Sequence, residues 1–167
     1  TERYIDIAKS DSFGYTLTDL TPYTTYKTVI SMYSFQRASP GPPSEPLINT
    51  TLEAVPSPPR NLEYSNVTDT SVTLHWDIPE HINGVLMKYT VWYNSNVKEV
   101  DKQHITPNMT YTLSGLNSFT KYDICVKAHT FAESNRSNIV TIETKVGNPG
   151  NITTLTLPET GDEVSLE

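Results

Sequence analysis

One seven-residue pattern occurs twice in this chain and limits its fold more than any other feature. It reads Leu20-Thr-Pro22-Tyr-Thr24-Thr-Tyr26 and later Leu116-Asn-Ser118-Phe-Thr120-Lys-Tyr122, 96 residues apart (122 − 26). The match extends upstream, where Tyr15-Thr-Leu-Thr-Asp-Leu20 echoes Tyr111-Thr-Leu-Ser-Gly-Leu116. A period close to the size of a small domain denotes tandem modules rather than one large fold. The repeat therefore predicts where each module starts and stops.

Helical periodicity is nearly absent. Short runs alternate apolar with polar residues and are rich in Thr, Val, Tyr and Ile, with Pro, Gly, Asn and Ser clusters between them, a pattern of many short strands. Pro56-Ser-Pro58-Pro59 cannot donate ladder hydrogen bonds and reads as an extended linker into an edge strand. Leu62 and Tyr64 open a first strand, and Val72, Leu74 and Trp76 form one face of a second. Met87, Tyr89, Val91 and Tyr93 form the inner face of a third, with Trp92 on its outer face. Tyr111 and Leu113 mark another, Tyr122, Ile124, Val126 and Ala128 the next, and Ile139–Ile142 the last. Seven strands in about 90 residues predict an all-β fold of two stacked antiparallel sheets.

These residues carry a resemblance. The proline-rich lead-in, the Ser71-Val-Thr-Leu-His-Trp76 strand, Asn83-Gly84 before Tyr89-x-Val91-x-Tyr93, and the Leu116…Tyr122 corner stand in order at the spacings of a fibronectin type III domain. The resemblance spans residues 57–146 and implies an immunoglobulin-like seven-stranded β-sandwich. In it Trp76, Tyr89, Val91 and Leu116 fill the core, and Tyr122 packs its ring inward while its hydroxyl bonds backbone. Leu20 and Tyr26 take the places of Leu116 and Tyr122 in the preceding module. Ser118, standing where the other copy has Pro22, is expected to loosen the corner loop.

Three segments follow: 1–54, 55–146 and 147–167. The first matches only the C-terminal part of the pattern, with Phe13–Leu17, Tyr26–Tyr33 and Leu47–Leu52 as strands and Ser39–Pro46 as a polyproline-like connection. It has no tryptophan, and its first three strands are missing. The second is a complete module. The third is a linker into a following module, with Glu163-Val-Ser-Leu-Glu167 resembling Ser71-Val-Thr-Leu-His75, or ends in a cloning scar at Leu166-Glu167. A terminal segment such as 149–167 completing the first by strand exchange is a conditional expectation.

Little in the chain points to chemistry. A net charge of −7 spread along the sequence supplies no basic stripe for nucleic acid. No apolar run approaches the ~20 residues of a membrane span, so no direct membrane contact is expected. The single cysteine, Cys125, precludes an intrachain disulfide, and each module must hold together by packing. It falls between inward Ile124 and Val126 and should point outward. His75, His81, His104 and His129 lack metal-ligand spacing and lie in no nucleophile or acid–base motif, so neither an active site nor a cofactor is expected. Asp77 with Glu80, and Glu159 with Asp162 and Glu163, lack the ligand density of a calcium loop.

Sequons for N-glycosylation stand at Asn49, Asn66, Asn108, Asn135 and Asn151, all near predicted strand ends or loops. Chance in a chain rich in Asn, Ser and Thr is the bland explanation; a glycosylated extracellular protein is the other. Trp92 is either covered by its neighbours or an exposed interface anchor. No Arg-Gly-Asp tripeptide and no Trp-Ser-x-Trp-Ser motif occurs, which speaks against integrin attachment by that motif and against type I cytokine receptors.

The expected function is a structural and adhesive extracellular spacer of a large single-pass cell-surface receptor, with protein partners or neighbouring modules. Compact proline-rich linkers, frequent sequons and Asn83-Gly84-x-x-x-Lys88-Tyr89 resemble receptor-type tyrosine phosphatase ectodomains. The similarity is to the many-module subgroup that includes the phosphatidylinositol phosphatase form of sensory hair bundles. That resemblance implies a phosphatase domain outside this chain. A ligand-binding receptor module and an intracellular scaffold of the muscle giant-protein type are the alternatives.

Overall fold

The computed structural model describes residues 3–7, 14–33, 39–95 and 98–148. Its strands run β1 (Thr25–Thr28), β2 (Leu47–Thr50), β3 (Arg60–Ser65), β4 (Ser71–Asp77), β5 (Lys88–Ser95), β6 (Lys98–Thr106), β7 (Thr110–Ser114), β8 (Lys121–His129) and β9 (Val140–Glu143). Strands β3 to β9 build the expected sandwich. One sheet has the order β3-β4-β7 and the other β6-β5-β8-β9, every pairing antiparallel.

Alternation sets which side chains meet between the sheets. Val72, Leu74 and Trp76 of β4, Tyr89, Val91 and Tyr93 of β5, and Tyr122, Ile124, Val126 and Ala128 of β8 are all buried, joined by Leu62, Leu113, Leu116 and Ile142. The Trp76 ring meets Tyr89 edge-on at 5.4 Å. Met87 is not part of this layer. Ladder pairing of β5 begins at Lys88, so the alternation stops there, and Met87 is exposed in the preceding loop.

β6 was not visible as a strand in the sequence. It is the edge of its sheet, and Lys98, Glu99, Asp101 and Lys102 give it the charge typical of protected edges rather than an apolar alternation. His104 on β6 stacks between Tyr93 at 5.8 Å and Tyr111 of β7 at 5.6 Å, linking the two sheets along that side.

Ahead of the sandwich lies a two-stranded ribbon, β1 paired with β2. Its strands are shorter than expected, and residues 14–20 form none; Phe13 and residues 34–38 lie outside the described residues. The physical reason is the absence of a neighbouring strand to pair with among the described residues. In the sandwich, Tyr111 and Leu113 are held as a strand by β4, and no such partner stands beside residues 15–17 among the described residues.

Candidate interaction surfaces

The two tyrosine corners have the same bonds. Tyr122 Oη accepts from Asn117 N at 2.9 Å, and Tyr26 Oη accepts from Thr21 N at 2.8 Å. Thr120 Oγ1 donates to Ser118 O at 2.8 Å, and Thr24 Oγ1 donates to Pro22 O at 2.9 Å. Phe119 and Tyr23 both take positive φ, 47° and 49°. Serine in place of proline therefore leaves the corner intact, because the residue contributes its carbonyl, which both types possess.

A second feature, not visible in the sequence, is a pair of serines along the outer edge of β8. Ser134 Oγ accepts from Ala128 N at 2.9 Å, and Ser137 Oγ accepts from Val126 N at 3.0 Å. Their own amides donate to Ala128 O and Val126 O. The hydroxyls thus satisfy buried strand amides over the stretch where β9 has not yet begun. The Ser-x-x-Ser spacing is the signal that sequence reading passed over.

The middle of the outer face of the four-stranded sheet, around Trp92 and Cys125, is covered. Trp92 stands directly opposite Cys125, and the Lys127 ammonium sits 5.2 Å from the Trp92 ring centroid while pairing with Glu133 at 2.9 Å. Trp92 is half-buried rather than exposed, and Cys125, which does point outward, is buried beneath this layer. His129 bonds Thr90 Oγ1 at 2.8 Å. Burial pushes its imidazole below the ordinary range; Glu133 pulls it back, and Lys88 and Lys127 push further down. His75, by contrast, lies exposed on β4, bonded to Ser65 and Thr110 hydroxyls. Among the described residues, no cluster of three or more His, Cys, Asp or Glu is placed to hold a metal.

The linker is docked. Ala54 N donates to Asn83 O at 2.9 Å, and Ser57 N donates to His81 O at 2.8 Å. His81 N donates back to Ser57 Oγ at 3.0 Å, and Asn83 Nδ2 reaches Val55 O at 2.9 Å. Gly84 leaves room for the Glu53 side chain, whose carboxylate oxygen would lie 2.6 Å from a Cβ there. Register places the β4–β5, β6–β7 and β8–β9 connections at this same end: Lys88 faces His129, Tyr89 faces Thr106, and Thr110 faces His75. Val85, Met87, Met109 and Phe131 are exposed there.

Of the sequons, Asn49, Asn66, Asn108 and Asn135 are exposed, and Asn151 lies outside the described residues. Asn66 takes a left-handed φ of 49° in the β3–β4 turn. Asn49 differs from the rest: it pairs with Tyr26 as Ile142 pairs with Tyr122, and Ile142 points into the core.

Comparison with known proteins agrees with this architecture. The chain is 37% identical over 142 residues to a cytokine receptor of Drosophila melanogaster, covering 78% of this chain and 11% of that one. It is 35% identical over 148 residues to the human cell adhesion molecule DSCAM, covering 84% and 7%. The chain thus spans about a tenth or less of these relatives. Domains d3–d4 of the rat CD45 extracellular region share the fold, with a TM-score of 0.69 at 20% identity over 86% of this chain and 76% of that one. Residues 57–143 match the fibronectin type III domain, and the chain belongs to that family.

Proposed function

We propose that this chain is an extracellular segment of a cell-surface adhesion or receptor protein, and that it holds its modules in a set relation and presents protein-binding loops. The observation that carries this reading is the docked linker. Four hydrogen bonds between Ala54–Ser57 and His81–Asn83 replace a loose tether with a joint. They order the linker at the same end of the sandwich as the exposed Val85, Met87 and Phe131. A binding surface made of loops needs such a scaffold to limit the ordering entropy lost on contact. Relatives named as a cytokine receptor and as adhesion molecules support the extracellular setting.

The phosphatase parent implied by the sequence resemblance finds no counterpart in the names of these relatives. This segment acts by contact, and catalysis is no part of the role proposed for it. The test is secretion from animal cells followed by glycosidase treatment. A mass loss localised to Asn66, Asn108 and Asn135 is expected. Material that passes through the secretory pathway unmodified, or that folds only in the cytosol, would overturn the extracellular reading in favour of an intracellular scaffold.

A further inference from the structure

The joint contains the chain's single Asn-Gly step, Asn83-Gly84. That step is the chemically weakest kind of asparagine peptide. Glycine has no Cβ to keep its main-chain nitrogen away from the preceding side-chain amide. Every other asparagine is followed by a residue with a side chain: Asn117 precedes Ser118, Asn135 precedes Arg136 and Asn138 precedes Ile139.

The surroundings bear on both the reaction and its effect. Asn83 is half-buried in the β4–β5 connection and takes a left-handed φ of 54°, which asparagine tolerates better than most side chains. Its Nδ2 donates to Val55 O at 2.9 Å, and its main-chain oxygen accepts from Ala54 N at 2.9 Å. Gly84 N donates to no group among the described residues, so no hydrogen bond ties up that nitrogen. The Glu53 carboxylate lies against Gly84, with Oε2 2.6 Å from where a Cβ would stand. One asparagine thus holds two of the four linker bonds and sits beside a negative charge.

We propose that Asn83 is a deamidation site whose conversion releases the joint, an inference that rests on the docked linker proposed above. The Gly84 nitrogen gives its proton to solvent base and bonds to Asn83 Cγ; the Cγ–Nδ2 bond breaks, and Nδ2 leaves as ammonia. Water then opens the cyclic imide at either carbonyl, giving aspartate or isoaspartate. One water is taken up, one ammonia is released, and nothing is oxidised or reduced. Either product carries carboxylate oxygens, which accept and cannot donate. The bond to Val55 O becomes two acceptors face to face, and a second negative charge joins Glu53. Isoaspartate also routes the main chain through Cβ and Cγ, displacing the oxygen that Ala54 N bonds. The bonds between Ser57 and His81 are not touched directly. Release therefore starts at Ala54 and Val55.

The test ages residues 1–167 at mildly alkaline pH and follows each asparagine by peptide mapping, with amide exchange measured before and after. Asn83 should convert to aspartate and isoaspartate well ahead of Asn117, Asn135 and Asn138. Exchange at Ala54 should then quicken by about tenfold or more, and by less at Ser57. Asn83→Asp, made directly, should show the fast Ala54 exchange without ageing, while unchanged tryptophan fluorescence reports an intact sandwich. Conversion at Asn83 no faster than at Asn117 would overturn the proposal. So would protection of Ala54 that survives conversion, an outcome that leaves the docked linker standing. Open-chain exchange at Ala54 and Ser57 in fresh protein would overturn the docked linker and this proposal together.

Discussion

Tyr122→Phe is the sharpest probe of the sandwich, because it keeps the ring and removes one bond. The Tyr122 ring is buried and packs at 6.2 Å from Tyr93, and its hydroxyl accepts from Asn117 N at 2.9 Å. Phenylalanine leaves that amide without this acceptor, at a cost of about 1–3 kcal/mol where water does not replace it. Residues 57–143 are 87 in number (143 − 57 + 1), a size at which each kcal/mol moves Tm by about 4–8 °C. A fall of roughly 5–20 °C is therefore expected. Both tryptophans, Trp76 and Trp92, belong to this module, so fluorescence during thermal or urea unfolding reports on it alone. Tyr26→Phe removes the same bond in the ribbon and should leave the fluorescence transition of residues 1–167 unmoved. An unchanged Tm for Tyr122→Phe, or an equal fall for Tyr26→Phe, would refute the reasoning: the first by denying the bond its weight, the second by joining ribbon and sandwich into one unit.

Three further outcomes follow from the geometry. Ser134→Ala and Ser137→Ala each strip a buried strand amide of its acceptor and should cost about 1–3 kcal/mol, read as a lower urea midpoint at constant m. The folded-state pKa of His129 lies below its unfolded value, so its contribution to stability is present above the ordinary imidazole range and is lost as pH falls through it. His129→Gln should flatten the loss of urea stability between about pH 7.5 and 5.5; an unchanged slope would show that other groups set it. Peptide mapping of secreted protein should find glycans at Asn66, Asn108 and Asn135, which are exposed in the turns and connections of the sandwich. Unmodified asparagine at all three would contradict the extracellular reading.

How far the sequence could be read depended on whether each feature is local. Trp76, Leu116 and Tyr122 declare themselves because their spacing within single strands and one corner is characteristic, and the structure buries all three. The edge strand β6 escaped because its sequence is charged and lacks the apolar alternation by which a half-buried strand is read. Met87 was misplaced because alternation continues one step past the last paired residue, which only the ladder can reveal. Trp92 offered two readings, and Lys127, 35 residues away (127 − 92), decides between them. The docked linker was hidden for the same reason: Ser57 and Asn83 read as ordinary turn residues, and their bonds reach across 24 to 28 positions. The ribbon is the inverse case. Its sequence names a fibronectin type III corner, yet strand length there depends on partners that the repeat alone cannot supply.

The joint between segments is tested most directly by amide exchange at Ala54, Ser57 and His81. If the linker is held by the β4–β5 connection, these amides should exchange about 100-fold or more slowly than in an unstructured peptide, and Ser57→Ala should speed His81 selectively. Exchange of all three at the rate of an open chain would contradict the account, leaving the two segments tethered rather than joined.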